Sequence, residues 1–105
     1  MIFEALNSAA EGGELLLVEG GLCHFHHRRD GQVTIREVLV LPPYRGQGVG
    51  RRLVERVGEG AGRVVARCPA DLPSNGFWKR LGFHLVKTEA TRTGRTINVW
   101  EKACG

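Results

Sequence analysis

Apolar positions in this chain come in short runs broken by glycine-containing turns, and their spacing changes along the sequence. Glu14 to Glu19 carries Leu15-Leu16-Leu17-Val18 and stops at Gly20-Gly21. Leu22 to Arg29 alternates apolar and polar residues. Gln32 to Leu41, rich in Val and Ile, closes on Pro42-Pro43. Asp30-Gly31 lies between the last two runs and is a strong hairpin signal, because a tight turn needs the positive φ that glycine adopts freely. The three runs predict an antiparallel meander. After Arg45 the pattern becomes helical: Val49, Leu53, Val54 and Val57 share one face, with Arg51, Arg52, Glu55, Arg56 and Glu59 on the other. That helix should end near Gly58 to Gly62. Arg63 to Cys68 reads as a strand and Pro69 to Pro73 as a loop. Ser74 to Leu81 reads as a second, shorter helix, with Ser74 or Asp71 as its cap and Gly82 as its left-handed terminator. Phe83 to Glu89 and Thr96 to Lys102 complete the strands, joined by a turn around Thr93-Gly94.

A strand, a crossover helix and another strand imply a parallel pair, right-handed in nearly all folds, whereas the hairpins imply antiparallel pairs. The expected class is therefore α/β of the α+β kind: a mixed, mostly antiparallel sheet of about six strands with two main helices. No linker, repeat or low-complexity block interrupts the 105 residues, so residues 1–105 read as a single domain.

Composition adds exclusions. With 42% hydrophobic and 25% charged residues the chain is globular in character. No apolar run approaches the roughly 20 residues needed to span a bilayer. The start Met1-Ile2-Phe3-Glu4 lacks a basic region followed by an apolar stretch. These features point to a cytoplasmic protein. Cys23, Cys68 and Cys104 are odd in number and widely spaced, which argues for a reducing compartment and against a disulfide frame, a structural zinc site or any metal. The net charge of +4, with twelve Arg against three Lys, suits an anionic ligand or a nucleic acid. A nucleic-acid surface ranks last of the readings, since the arginines cluster at one loop and are elsewhere interleaved with acids.

That loop, Tyr44-Arg45-Gly46-Gln47-Gly48-Val49-Gly50-Arg51, runs from a strand end into the first helix. Glycines there remove side chains that would block a ligand and let successive N–H groups turn toward one anion. The helix's first turn points its dipole the same way, and Arg45, Arg51 and Arg52 add charge. A dinucleotide fingerprint counted from Gly46 would need glycine where Arg51 stands. A mononucleotide loop would need Lys-Ser or Lys-Thr after Gly50, where Arg51-Arg52 follows. A ligand-free tight turn is the bland alternative, but it does not need three alternate glycines beside three arginines.

Arg45, Gly48 and Gly50 match the acetyl-coenzyme A signature of the GNAT superfamily of N-acetyltransferases, and the preceding Val38 to Tyr44 resembles that family's strand and proline turn. Downstream, Asn75-Gly76-Phe77-Trp78-Lys79-Arg80-Leu81-Gly82-Phe83 is similar to its later motif. Phe77, Trp78, Leu81 and Phe83 also read as ordinary core. The resemblance covers roughly Gln32 to Glu89. It implies acetyl-coenzyme A as co-substrate, direct acetyl transfer to a primary amine on a small molecule or protein, and a backbone site for the carrier. By position, Leu39, Val40 and Leu41 would pair with the pantetheine arm where two parallel strands part. Gly46, Gln47, Gly48, Val49, Gly50, Arg51 and Arg52 would hold the phosphates, with Arg45, Asn75 and Phe77 completing the site. Backbone around Val38 to Val40 would stabilise the oxyanion.

Glu37 is the first candidate for general base, with His24 and His26 on the preceding strand as secondary candidates. Trp78 stands at the catalytic position where many relatives place the Tyr that reprotonates the leaving thiolate; an indole N–H donates a hydrogen bond but releases no proton at useful pH. Only Met1 to Gly13 precede the first strong strand, less than relatives place there, so the acceptor side should be open or completed by a homodimer. A catalytically weak acyl-coenzyme A binding module is the main rival reading.

Overall fold

Alternation in the first three runs becomes β1 (Glu14–Val18), β2 (Gly21–His27) and β3 (Gln32–Val40) in a computed structural model that describes residues 14–104. A 3-10 turn at Pro42–Tyr44 leads to α1 (Val49–Gly58), then β4 (Arg63–Pro69), α2 (Asn75–Arg80), β5 (His84–Ala90) and β6 (Thr96–Ala103). These strands form one six-stranded sheet in the order β1-β2-β3-β4-β6-β5. Only β3 and β4 run parallel, as the crossover through α1 predicts. Gly31 closes the β2–β3 hairpin at φ +84, and Gly82 ends α2 at φ +89, each the conformation that glycine adopts without strain.

One face of the sheet packs against both helices. From α1, Leu53 and Val57 meet Cys23, Phe25, Val33 and Ile35; from the α2 side, Trp78, Leu81 and Phe83 meet Ala66, Cys68 and Trp100, in one continuous core. Trp78 stands edge-on between Phe77 and Phe83, with ring centroids 5.0 Å and 5.1 Å away. Lys102 Nζ donates to the Leu81 carbonyl at 2.8 Å, satisfying an end of α2 that would otherwise lack a partner. The capping expectation for α2 fails. Ser74 makes no capping bond and instead lies 3.1 Å from Cys68 Sγ, while Asp71 pairs with Arg95.

Two features fix the geometry at the carboxyl end of β3. The first is a bulge: His24 pairs with Glu37 but Phe25 pairs with Ile35, leaving Arg36 as an extra residue. The second is Tyr44, whose ring lies over Gly20 and whose hydroxyl donates to Glu19 Oε1 at 3.2 Å. The Glu19 charge, and after it that hydrogen bond, raises the Tyr44 hydroxyl above its usual pKa. A Cβ on Gly20 would sit 2.3 Å from the Tyr44 ring, at a φ of +85.

Gly20→Ala combines left-handed strain with a ring clash, so it should cost about 2–4 kcal/mol in urea unfolding. Burial pushes the Cys23 thiol up to about 12, so Cys23 should resist alkylation near neutral pH until the chain unfolds, whereas half-buried Cys104 reacts in the native state; mass spectrometry of labelled peptides reads both.

Candidate active site

Parallel pairing between β3 and β4 covers only Gln32–Ile35 against Arg63–Ala66, although β3 continues to Val40 and β4 to Pro69. A bulge bends its strand, and this one falls where the pairing stops. Beyond it the two strands separate around a cavity of about 380 Å³ walled by Arg36 to Val40 on one side and Arg67 to Pro69 on the other, with Phe77 and Trp78 at its α2 side.

Alternation settles which backbone groups face that gap. Leu41 N–H donates to Gly20 O at 2.8 Å, toward β2, so Leu39 also turns its amide to β2. Val38 and Val40 therefore turn theirs to the gap, and the Val40 carbonyl accepts from Arg45 Nε at 3.2 Å. The bulge also resets the side chains. Val33 and Ile35 are core, and so are Val38 and Val40 on its far side, which places Thr34, Glu37 and Leu39 on the face away from the helices.

A second hollow of about 770 Å³ adjoins the first and shares Val40, Arg45, Ser74 and Phe77 with it. It runs along Gly46, Gly48, Gly50 and Arg51. Gly46 and Gly48 have φ of +78 and +79, and Gly48 is the N-cap of α1. Among the described residues the N–H groups of Gly46 to Arg51 donate to no backbone carbonyl, so an anion at this helix start would meet several free donors. A Cβ on Gly50 would lie 3.0 Å from the Phe77 ring, so glycine there lets α1 and α2 close the floor of the hollow.

Several expected site residues take other roles. Leu39 and Leu41 turn their amides to β2, so of that trio only Val40 offers backbone to the gap. Arg52 closes the first turn of α1 on Gly48 O at 3.0 Å, and its guanidinium bonds Gln47 O at 3.1 Å. With Gln47, whose amide donates to Pro43 O, it lines a different hollow beside Glu19, Glu55 and Glu59. These two side chains brace the loop from behind; Arg45 and Arg51 supply the charge in front. Asn75 points inward. Its Nδ2 reaches Pro69 O at 2.9 Å and Leu72 O at 2.8 Å, and its Oδ1 accepts from Asn98 and from Trp100 Nε1 at 2.9 Å. All its polar atoms are occupied, so it positions the β4–α2 loop and leaves the cavity walls to others.

Glu37 is exposed, on the rim of the gap, directly across from His24 in the β2–β3 pairing. Trp78 is buried in the core and shows one edge to the cavity. Arg67, Cys68, Leu72 and Ser74 also line the gap and were not anticipated. Nothing in their own spacing marks them, because they reach the gap from β4 and the loop after it. No cluster of potential metal ligands occurs among the described residues.

A family model described as an acetyltransferase (GNAT) domain matches residues 8–85. An uncharacterized N-acetyltransferase of Bacillus pumilus (strain SAFR-032) is 33% identical over 81 residues, covering 76% of this chain and 49% of that protein. The chain thus spans about half the length of the curated relative it matches. Among solved structures, a nourseothricin acetyltransferase superposes with a TM-score of 0.71 at 22% identity, covering 82% of this chain and 58% of that one. Arabidopsis thaliana Naa50, in complex with the bisubstrate analogue CoA-Ac-MVNAL, gives 0.61 at 23%, covering 80% and 65%.

Asn75→Ala removes three donor contacts and strands Asn98 and Trp100. It should cost about 2–3 kcal/mol in urea unfolding, with Asn75→Asp recovering the acceptor side only.

Proposed function

The chain belongs to the GNAT acetyltransferase family, and we propose that it is an acetyl-coenzyme A dependent N-acetyltransferase acting by direct attack of a primary amine in a ternary complex. One observation carries this reading: the unpaired amides of the glycine loop open into the same continuous groove as the gap between β3 and β4. The groove fits the carrier chemically. Free N–H groups and Arg45 and Arg51 suit a diphosphate, the backbone of Val40 and Val38 suits an amide-bearing arm, and Gly46 leaves open space where a side chain would intrude.

Bound there, the carrier supplies an activated thioester. The Val38 N–H, turned into the gap, donates to the oxyanion that develops as the amine attacks. Such a donor is worth about 3–4 kcal/mol of barrier when it is already in place. Glu37, next to Val38 on β3 with its side chain on the sheet face away from the helices, takes the ammonium proton directly or through one water. The N–C bond forms as the C–S bond breaks, and the second proton, shed by the attacking nitrogen, passes through water to the thiolate, whose ordinary pKa of about 8.5 makes this a modest demand. Trp78 contributes shape: its indole, wedged between Phe77 and Phe83, keeps the α2 wall dry. His24, beside Glu37, holds a buried Nε2 with no partner among the described residues and is suited to orient that carboxylate.

The rival is a binding module that holds the carrier without turnover, favoured by the lack of an ionisable group at Trp78. Calorimetry with acetyl-coenzyme A and thiol release over a panel of amines separate the two. Binding with release is the expected result; binding with no release from any amine would establish the rival. Glu37→Gln should lower kcat by about 10²- to 10⁴-fold with carrier affinity unchanged. Trp78→Phe should keep most of the turnover, and a collapse in kcat at constant affinity would show that the indole takes part in chemistry.

A further inference from the structure

On the sheet face away from the helices a hollow of about 600 Å³ adjoins the gap, lined by His26, Arg28, Thr34, Ile35, Arg36 and Arg67. Arg36 and Arg67 wall both spaces, so the two meet at the bulge. The extra residue in β3 therefore also brings a guanidinium to the rim of the gap.

The charges in this hollow are unevenly satisfied. Arg67 Nη2 pairs with Glu89 at 2.9 Å, and Lys87 with the same carboxylate at 3.1 Å. The hydrogen bond from Lys87, and after it the charge of Arg67, holds Glu89 below the usual carboxylate range. Arg28 and Arg36 pair with no carboxylate among the described residues. Thr34 Oγ1 is buried with no hydrogen-bond partner among the described residues. A buried hydroxyl left so costs free energy that a bound acceptor would relieve. Two guanidinium groups and a hydroxyl, none with a partner among the described residues, thus lie on one side of the bulge, and the acid Glu37 lies on the other.

We propose that the amine acceptor is a small molecule that also carries a carboxylate, which Arg28 and Arg36 bind with the Thr34 hydroxyl while the amine is presented to Glu37. Cations at one end and an acid at the other complement a zwitterion, and the planar fork of arginine matches a carboxylate with two parallel hydrogen bonds. This assignment rests on the acetyl-transfer reading and names the substrate class for it.

The test compares kcat/KM for glycine, β-alanine and γ-aminobutyrate with that for their primary amides, in the wild-type chain and in the Arg28→Gln, Arg36→Gln double variant. Both residues are exposed, so the variant should fold, and its unfolding curve checks that. At least one acid should exceed its amide by about tenfold or more in the wild type, and the ratio should fall toward unity in the variant. Amides equal to or better than every acid would overturn the assignment, as would an aminoalkyl phosphonate preferred over each carboxylate. A second readout does not depend on turnover: N-acetyl-β-alanine and its amide are titrated into the coenzyme A complex and followed by amide NMR. Discrimination lost in the variant supports the proposal; equal binding of the two refutes it. Calorimetry with acetyl-coenzyme A separates the two levels. No carrier binding removes both readings, whereas carrier binding with an acid-to-amide ratio of one removes only the carboxylate.

Discussion

The extra residue at Arg36 is the constraint on which the site depends. An antiparallel neighbour, β2, can absorb one unpaired residue and keep its ladder on both sides of it, but the parallel partner β4 cannot follow the bend, so their pairing ends at Ile35 and Ala66. The open backbone and Glu37 lie past that point. The backbone of Val38 and Val40 loses its sheet partner and faces a cavity, and Glu37 comes to the rim on the face opposite the helices. A sheet left open in its middle would ordinarily carry unsatisfied backbone groups at a cost. The family to which the chain belongs suggests what satisfies them.

Around this opening the rest of the fold acts as bracing. Tyr44 on Gly20 fixes the direction in which the chain leaves β3, and Gly46 and Gly48 turn the amides toward the groove. Arg52 and Gln47 hold the loop from behind, on the side of Glu19, Glu55 and Glu59. Asn75 pins the β4–α2 loop to β6 through Asn98 and Trp100, which keeps Ser74, Phe77 and Trp78 against the far wall. Substitutions at these bracing positions therefore act on the site through backbone placement, even where the side chain touches no ligand.

The element order, the single parallel pair and both helices were legible in the sequence, because each apolar run has a clear period and each is bounded by glycine or proline. The bulge was written there too, though in a weaker form. Core positions run Val33, Ile35, Val38, Val40, a phase slip of one residue that alternation alone does not permit. Side-chain direction at the loop was not legible. Gln47 and Arg52 are phosphate ligands by position in the resemblance, yet their side chains bond Pro43 O and Gln47 O and lie on the other side of the loop. Asn75 looked like a ligand because it opens a helix in a motif, and only the three-dimensional path of β4 and β6 shows that its amide is occupied. Arg67, Cys68 and Ser74 escaped because wall residues across a gap carry no local spacing signal.

In the proposed reaction, unpaired backbone on the far side of the bulge and at the start of α1 forms one surface for a thioester carrier. Its most direct test is residue-by-residue amide NMR during titration with coenzyme A. The amides of Val38, Val40 and Gly46 to Arg51 should shift together with a single affinity, while those of Leu39 and Leu41, bonded toward β2, move far less. Saturable shifts confined to other parts of the sheet, or none at all, would contradict it.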